Sequence, residues 1–177
     1  VTSTVRVGHL ARVDEIVERP GRDYCRALAE VTDDWVTGLF DEALARTERP
    51  SGRVALLAIG GYGRGELAPQ SDLDLLLVHD VKTKKVAKEI EPIASAIWYP
   101  LWDAGVKLGH AVRRVDEQLE LAETDLDSAT SLVSARPLAG DDELTAEVIG
   151  KGLEVWRRMA DRYLAELRDR VRAREAS

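Results

Sequence analysis

The chain has 177 residues, of which 45% are hydrophobic and 32% charged, and its formal net charge is −7. That length and apolar content suit one compact domain with its own core, and the acidic balance excludes a general nucleic-acid binder, because phosphate repulsion needs a strong local basic patch to overcome it. A single cysteine, Cys25, excludes a disulfide framework or a Cys-rich metal site, and three histidines, His9, His79 and His110, argue against a multi-histidine zinc site.

Residues 1–21 carry no lasting periodicity and read as an arm, with a short helix near Leu10 to Val17. The first ten residues lack the apolar stretch of a signal peptide. No apolar run approaches the ~20 residues that cross a bilayer, so a cytoplasmic protein without membrane contact is expected. The opening at Val1 and a last helix without a cap lead us to expect a piece of something longer. Residues 22–47 show helical spacing, with Cys25, Leu28, Val31, Trp35, Leu39 and Ala43 on one stripe. Pro50-Ser51-Gly52 then breaks the chain.

Val54 to Ile59 is a continuous apolar run flanked by glycine, which favours a buried strand. A glycine-rich loop spans Gly60 to Ser71, and Asp72 to Val78 reads as a second strand. Residues 82–103 are predicted helical, with a kink or break at Pro92. Val106 to Arg114 alternates and predicts a third strand. The remainder reads as helical. One helix is capped by Thr124 or Asp125, runs toward Ser134 and is ended by Pro137 and Gly140. A last helix places Leu153, Trp156, Ala160, Tyr163, Leu167 and Val171 at spacings of three and four, and its arginines form a solvated face with i,i+4 partners such as Glu154–Arg158 and Glu166–Arg170. The predicted fold class is α/β (α+β): a small sheet flanked by helices, with residues 1–50 an arm and helix, 51–140 the core, and 141–177 a helical extension leading to a further domain.

The chemistry concentrates between Leu57 and Val78. Gly60 and Gly61 lack a Cβ, so their backbone N–H groups can approach an anionic phosphate. Arg64 offers forked donors to phosphate oxygens, and Ser71 places a hydroxyl beside the carboxylates. Asp72 and Asp74, two apart in a strand, point to one face. Two hard oxygen ligands there suit magnesium, which also takes waters and substrate phosphates. Leu73, Leu75 and Leu77 face the other way and pin the strand to a core. Taken singly, an Asp-x-Asp at a strand start is more often a solvated strand end, and a glycine-rich loop more often a turn. The stretch fails as a Walker A loop, since Glu66-Leu67 stands where Lys-Ser/Thr is required, and it lacks the G-x-G-x-x-G of a dinucleotide site.

The combination is more specific than its parts. An apolar strand, Gly-Gly, ten residues, then Asp-x-Asp entering a second apolar strand resembles the DNA polymerase β-like nucleotidyltransferase superfamily. The string Gly60-Gly61-Tyr62-Gly63-Arg64-Gly65-Glu66-Leu67-Ala68-Pro69-Gln70-Ser71-Asp72-Leu73-Asp74 is similar to the uridylyltransferase/uridylyl-removing enzymes of PII nitrogen-signalling proteins. So are Leu101-Trp102-Asp103, Leu108-Gly109-His110-Ala111-Val112-Arg113, Asp125 through Thr130 to Arg136, and Leu138-Ala139-Gly140-Asp141. The resemblance implies the small mixed sheet of that superfamily and a magnesium-dependent transfer of a nucleoside monophosphate from UTP or ATP to a tyrosine of a PII-type protein. It implies Asp72 and Asp74 as catalytic metal ligands, with Gly60, Gly61, Arg64 and Ser71 binding the nucleotide. It also implies a larger parent with hydrolase and glutamine-sensing domains. Many members carry a third carboxylate on a neighbouring strand; Val106 to Arg114 has none, Asp103, Asp116 and Glu117 lie just outside it, and the third ligand stays open. His110 reads equally as a core histidine or as a site residue. Transfer to a small molecule or RNA, or a non-catalytic nucleotide-binding module, are the alternative readings.

Overall fold

The computed structural model describes residues 12–175. Residues 12–16 are helical; the start of the helix expected near Leu10 lies outside the described residues. Then follow α1 (Gly21–Arg46), β1 (Val54–Ala58), a one-turn helix α2 (Gly60–Gly63), β2 (Leu73–His79), α3 (Val86–Glu89), α4 (Glu91–Asp103), β3 (Leu108–Arg114), α5 (Val115–Thr124), α6 (Leu126–Val133), β4 (Arg136–Gly140) and α7 (Asp142–Glu175). The four strands form one sheet in the order β3-β2-β1-β4. β1 pairs antiparallel with β2 and β4, and β2 pairs parallel with β3. The parallel pair needs a crossover, which α3 and α4 supply.

Helices cover both faces of the sheet, which is why β1 and β2 read as unbroken apolar runs. Leu56, Ala58, Leu73, Leu75 and Leu77 pack with α1 and α4, while Ala55, Leu57, Leu76 and Val78 pack with α5, α6 and α7. Leu56, Leu57, Leu75, Leu76 and Leu77 are at most 1% exposed, and burying each contributes roughly 2 kcal/mol. Asp74 alternates with the leucines of the first set, so it stands on the sheet face covered by α6 and α7.

The helical segment predicted over 82–103 breaks at Ile90, and Pro92 falls in the first turn of α4, where a missing N–H costs nothing. β4 is a strand where Pro137 and Gly140 had signalled only a helix stop. It lies at the sheet edge, with an irregular register between Leu56 and Leu57 that accommodates the proline. Asp125 caps α6 as expected, accepting from Ser128 N at 2.7 Å. Arg170 does pair with Glu166, at 2.8 Å, and also with Asp127 at 2.6 Å. Arg158 instead reaches Glu123, and Arg162 donates to the carbonyls of Glu123 and Thr124. The arginine face of α7 thus ties it to α5 and α6. Closer in, α7 meets α6 at Gly152, where a Cβ would sit 2.7 Å from the Leu132 side chain. Among the described residues no helix is long and apolar enough to cross a membrane.

Candidate active site

Past the end of β1, the Ile59 amide donates to the carbonyl of Asp74 at 3.0 Å, which fixes the loop to the first turn of β2. Gly60 then turns the chain at φ +61°, a left-handed conformation that costs a side-chain-bearing residue about 1–2 kcal/mol. A Cβ on Gly60 would also lie 2.7 Å from Asp74 Oδ2. The next residues wind into α2, although Gly-Gly-Tyr-Gly has little intrinsic helical tendency. The turn is held from outside. A Cβ on Gly63 would lie 2.1 Å from the Ser134 carbonyl oxygen and 2.9 Å from that of Ala58. Tyr62 is 1% exposed, and burial, followed by the Asp33 charge, pushes its phenol up. Arg136 on β4 donates to both Asp33 oxygens on α1, at 2.7 and 2.9 Å, and to the Tyr62 carbonyl at 3.3 Å. Its guanidinium lies 5.4 Å from the Tyr62 ring centre. One cation therefore joins α1, α2 and β4.

Asp72 is exposed just before β2, and Asp74 is half-buried inside it. Burial, then the Asp72 charge, raises the Asp74 carboxyl above its ordinary value. Neither carboxylate has a hydrogen-bonding or cationic partner among the described residues. On the neighbouring strand Gly109 stands opposite Asp74, and a Cβ there would lie 2.1 Å from Asp74 Oδ1. Asp74 thus occupies a slot between two glycines. That cradle and the uncompensated charge pair fit a hard divalent cation. The β3 position beside Asp74 therefore has no side chain and supplies no third carboxylate. Asp116 and Glu117 lie past Arg114, which pairs with His79, roughly 16 Å along the strands from Gly109 at ~3.3 Å per residue. Among the described residues no group of three or more His, Cys, Asp or Glu could hold a metal.

Gly60, Arg64 and Asp74 line one cavity of about 560 Å³, together with Asp127, Thr130, Ser131, Ser134 and Trp156. Arg64 donates to the Gly60 carbonyl at 3.0 Å and lies 3.8 Å from Glu66. Ser71 lies elsewhere: its hydroxyl donates to the Ala68 carbonyl at 2.8 Å, and it lines a second cavity of about 340 Å³ beside Leu28, Gln70 and Lys107. A Cβ on Gly61 would meet only ordinary contacts, the Glu66 carbonyl oxygen at 3.5 Å and Arg64 Nη2 at 3.7 Å. His110 is not buried, and its ring stands on the sheet face away from Asp74. It is exposed on the α4 face, with its ring 5.4 Å from Trp98 and 5.3 Å from Trp102.

Two contrasts test this geometry. Gly60→Ala should lower the melting temperature by several degrees, because it adds backbone strain of about 1–2 kcal/mol and displaces Asp74. Gly61→Val should leave the melt nearly unchanged and weaken triphosphate binding in calorimetry. If both variants bind triphosphate normally, the loop is only a turn. Gly109→Ala should fold, since the atom it meets ends a movable side chain, and should lose transfer at least about tenfold by evicting Asp74 from its slot. A Gly109→Ala enzyme of normal rate would show that the slot does not position the carboxylate.

A family model described as "Putative nucleotidyltransferase DUF294" matches residues 18–113. A bifunctional uridylyltransferase/uridylyl-removing enzyme of Streptomyces coelicolor is 47% identical over 151 residues, covering 85% of this chain and 17% of its own length. The protein of the same name from Phenylobacterium zucineum is 42% identical over 134 residues, covering 73% of this chain and 14% of its own. This chain therefore spans less than a fifth of these curated relatives. A crystal structure of a toxin-antitoxin with AMP-PNP aligns at a TM-score of 0.47 and 11% identity, over 76% of this chain and 98% of that one. With the family match extending over more than half of its residues, and over the whole of the glycine turn, both aspartates and nearly all of β3, the chain belongs to the DUF294 nucleotidyltransferase family.

Proposed function

We propose that this chain transfers a nucleoside monophosphate, UMP or AMP, from an NTP to a tyrosine of a PII-type nitrogen regulatory protein. The tyrosine oxygen bonds to the α-phosphorus, the bond from that phosphorus to the bridging oxygen breaks, pyrophosphate leaves with the electron pair, and the phenolic proton passes to solvent. The observation that carries the reading is the slot in which Gly60 and Gly109 hold Asp74, beside a cavity shared with Arg64. The relatives' names support uridylyl transfer. The amides of Gly60 and Gly61 and the guanidinium of Arg64 hold the phosphates, while Ser71 stands apart from them on the second cavity. Asp72 and Asp74 hold magnesium, which supplies charge neutralisation on the triphosphate and favours the ionised nucleophile. For a phosphoryl-type transfer, positioning and charge neutralisation are most of the catalysis. Residues 51–140 form the catalytic core in this reading, with α7 leading toward the rest of a larger cytoplasmic enzyme.

The test supplies a PII-type protein, magnesium and each NTP labelled at the α-phosphate in turn. Label from UTP should appear on the acceptor and vanish in EDTA. Transfer from no NTP would overturn the catalytic reading. It would favour a nucleotide-binding module without activity, the reading that the absence of a third carboxylate at Gly109 supports.

A further inference from the structure

Asp74, Gly60 and Arg64 supply only part of the lining of the 560 Å³ cavity; α6 with its C-terminal Ser134, and Trp156 of α7, supply most of the rest. A cavity of that size takes a whole small ligand rather than a phosphate chain alone. This remaining lining is of two kinds. Trp156 on α7 is half-buried and stacks on Tyr163, with ring centres 5.5 Å apart and planes 24° apart. Tyr163 is itself fixed, fully buried with its hydroxyl donating to the Ala122 carbonyl. The indole is thereby braced from behind. Its place against α6 is set one helical turn earlier by Gly152, whose missing Cβ lets α7 approach Leu132.

Beside the apolar Val133, the α6 lining presents a row of acceptors. The Thr130 hydroxyl donates to the Leu126 carbonyl at 2.9 Å, that of Ser131 to Ser128 at 2.7 Å, and that of Ser134 to Ser131 at 3.3 Å. With their protons committed to the helix, these hydroxyls have only lone pairs for a ligand. Asp127 adds a carboxylate that already accepts from Arg170. A flat braced aromatic beside a row of acceptors, in the same cavity as Gly60, Arg64 and Asp74, matches a planar heterocycle with N–H donors on its edge. We propose that Trp156 is the stacking platform for the nucleobase, so that α7 and α6 hold the base of the NTP whose phosphates lie at Gly60 and Arg64. This rests on the nucleotidyl-transfer reading above, and it adds a base-binding residue outside the family motif.

Calorimetry on the full chain with magnesium, comparing UTP, ATP and inorganic tripolyphosphate, tests it. In the unaltered protein at least one nucleotide should bind more tightly than tripolyphosphate. Trp156→Leu removes the π-face and keeps apolar bulk; it should bind that nucleotide roughly 5- to 100-fold more weakly, as loss of one base–aromatic stack implies, with tripolyphosphate affinity unchanged. Trp156→Phe should fall between, which guards against a folding defect in the leucine variant. Equal affinity for nucleotides and tripolyphosphate in the unaltered protein would overturn the platform and leave the phosphate site standing. So would a folded Trp156→Leu variant that keeps nucleotide affinity but raises KM for the protein acceptor. Binding of none of the three would overturn the parent reading and the platform with it.

Discussion

Replacing Asp72 or Asp74 with asparagine is expected to cut nucleotidyl transfer by at least about a hundredfold, close to 3 kcal/mol at 1.36 kcal/mol per factor of ten, while the chain still folds. Asparagine keeps the shape of the side chain and removes the charge that a divalent cation requires. The fold does not depend on either carboxylate, since Leu73 and Leu75 to Val78 supply the packing of β2. The melt of Asp74→Asn sharpens the test. Burial, then Asp72, holds the Asp74 carboxyl above its ordinary value in the folded chain. A carboxyl raised on folding contributes its stability in full below the unfolded value near 3.9, and that contribution is lost as pH rises through the folded value. At neutral pH without divalent cation the charged pair therefore costs stability, so Asp74→Asn should melt at or above the unaltered chain, with the difference closing below about pH 4. Magnesium with a triphosphate should raise the melt of the unaltered chain and not that of the variant. A variant that transfers at the normal rate would remove the aspartates from catalysis, and one that fails to fold would make them structural.

Arg136→Met should produce the largest loss of stability, roughly 2–4 kcal/mol or about 5–12 °C in the melt. The Asp33–Arg136 pair is mostly covered, with side chains 25% and 31% exposed, so methionine would leave Asp33 without its cation. Asp33→Asn should cost less, because it keeps an acceptor for Arg136. Arg136 also holds the Tyr62 carbonyl, so Arg136→Met should reduce transfer at temperatures well below its melt. Denaturant unfolding, paired with transfer assays at 15 °C below the variant's own midpoint, separates the two effects. An Arg136→Met chain as stable as the parent would mean that the α1–α2–β4 junction is held by packing alone.

Much of the scaffold was legible because local pattern and tertiary environment agree. The long stripe of α1 and the apolar runs of β1 and β2 report directly that both sheet faces are covered. β4 was hidden because Pro137 and Gly140 are stop signals wherever a backbone N–H or an ordinary φ is needed. At a sheet edge with an irregular register neither is required. α2 was read as loop because its residues disfavour helix, and it is helical only because Ser134, Ala58 and Arg136 enclose it. The spacing of Asp72 and Asp74 predicted one face of a strand, but only Asp74 lies in β2 and Asp72 precedes it. Gly109 was in view as a glycine inside a predicted strand, a sign of close approach, but its meaning depends on the register that sets it opposite Asp74. Trp156 looked like one more core position, since periodicity shows which residues turn inward and not which of them border a cavity.

The edge position of β4 bears on the order in which the chain assembles. Pairing Ala58 with Leu75 closes a short loop, whereas pairing Ala55 with Gly140 spans most of the domain, and the longer closure costs roughly 1–2 kcal/mol more in chain entropy. Docking of β4 is therefore expected late in folding. It carries Arg136, so a chain stalled beforehand has its aspartates on a formed hairpin but no clamp under the glycine turn. Nucleotide should then recognise only the finished fold and stabilise it by mass action, making ligand occupancy a reporter of complete folding.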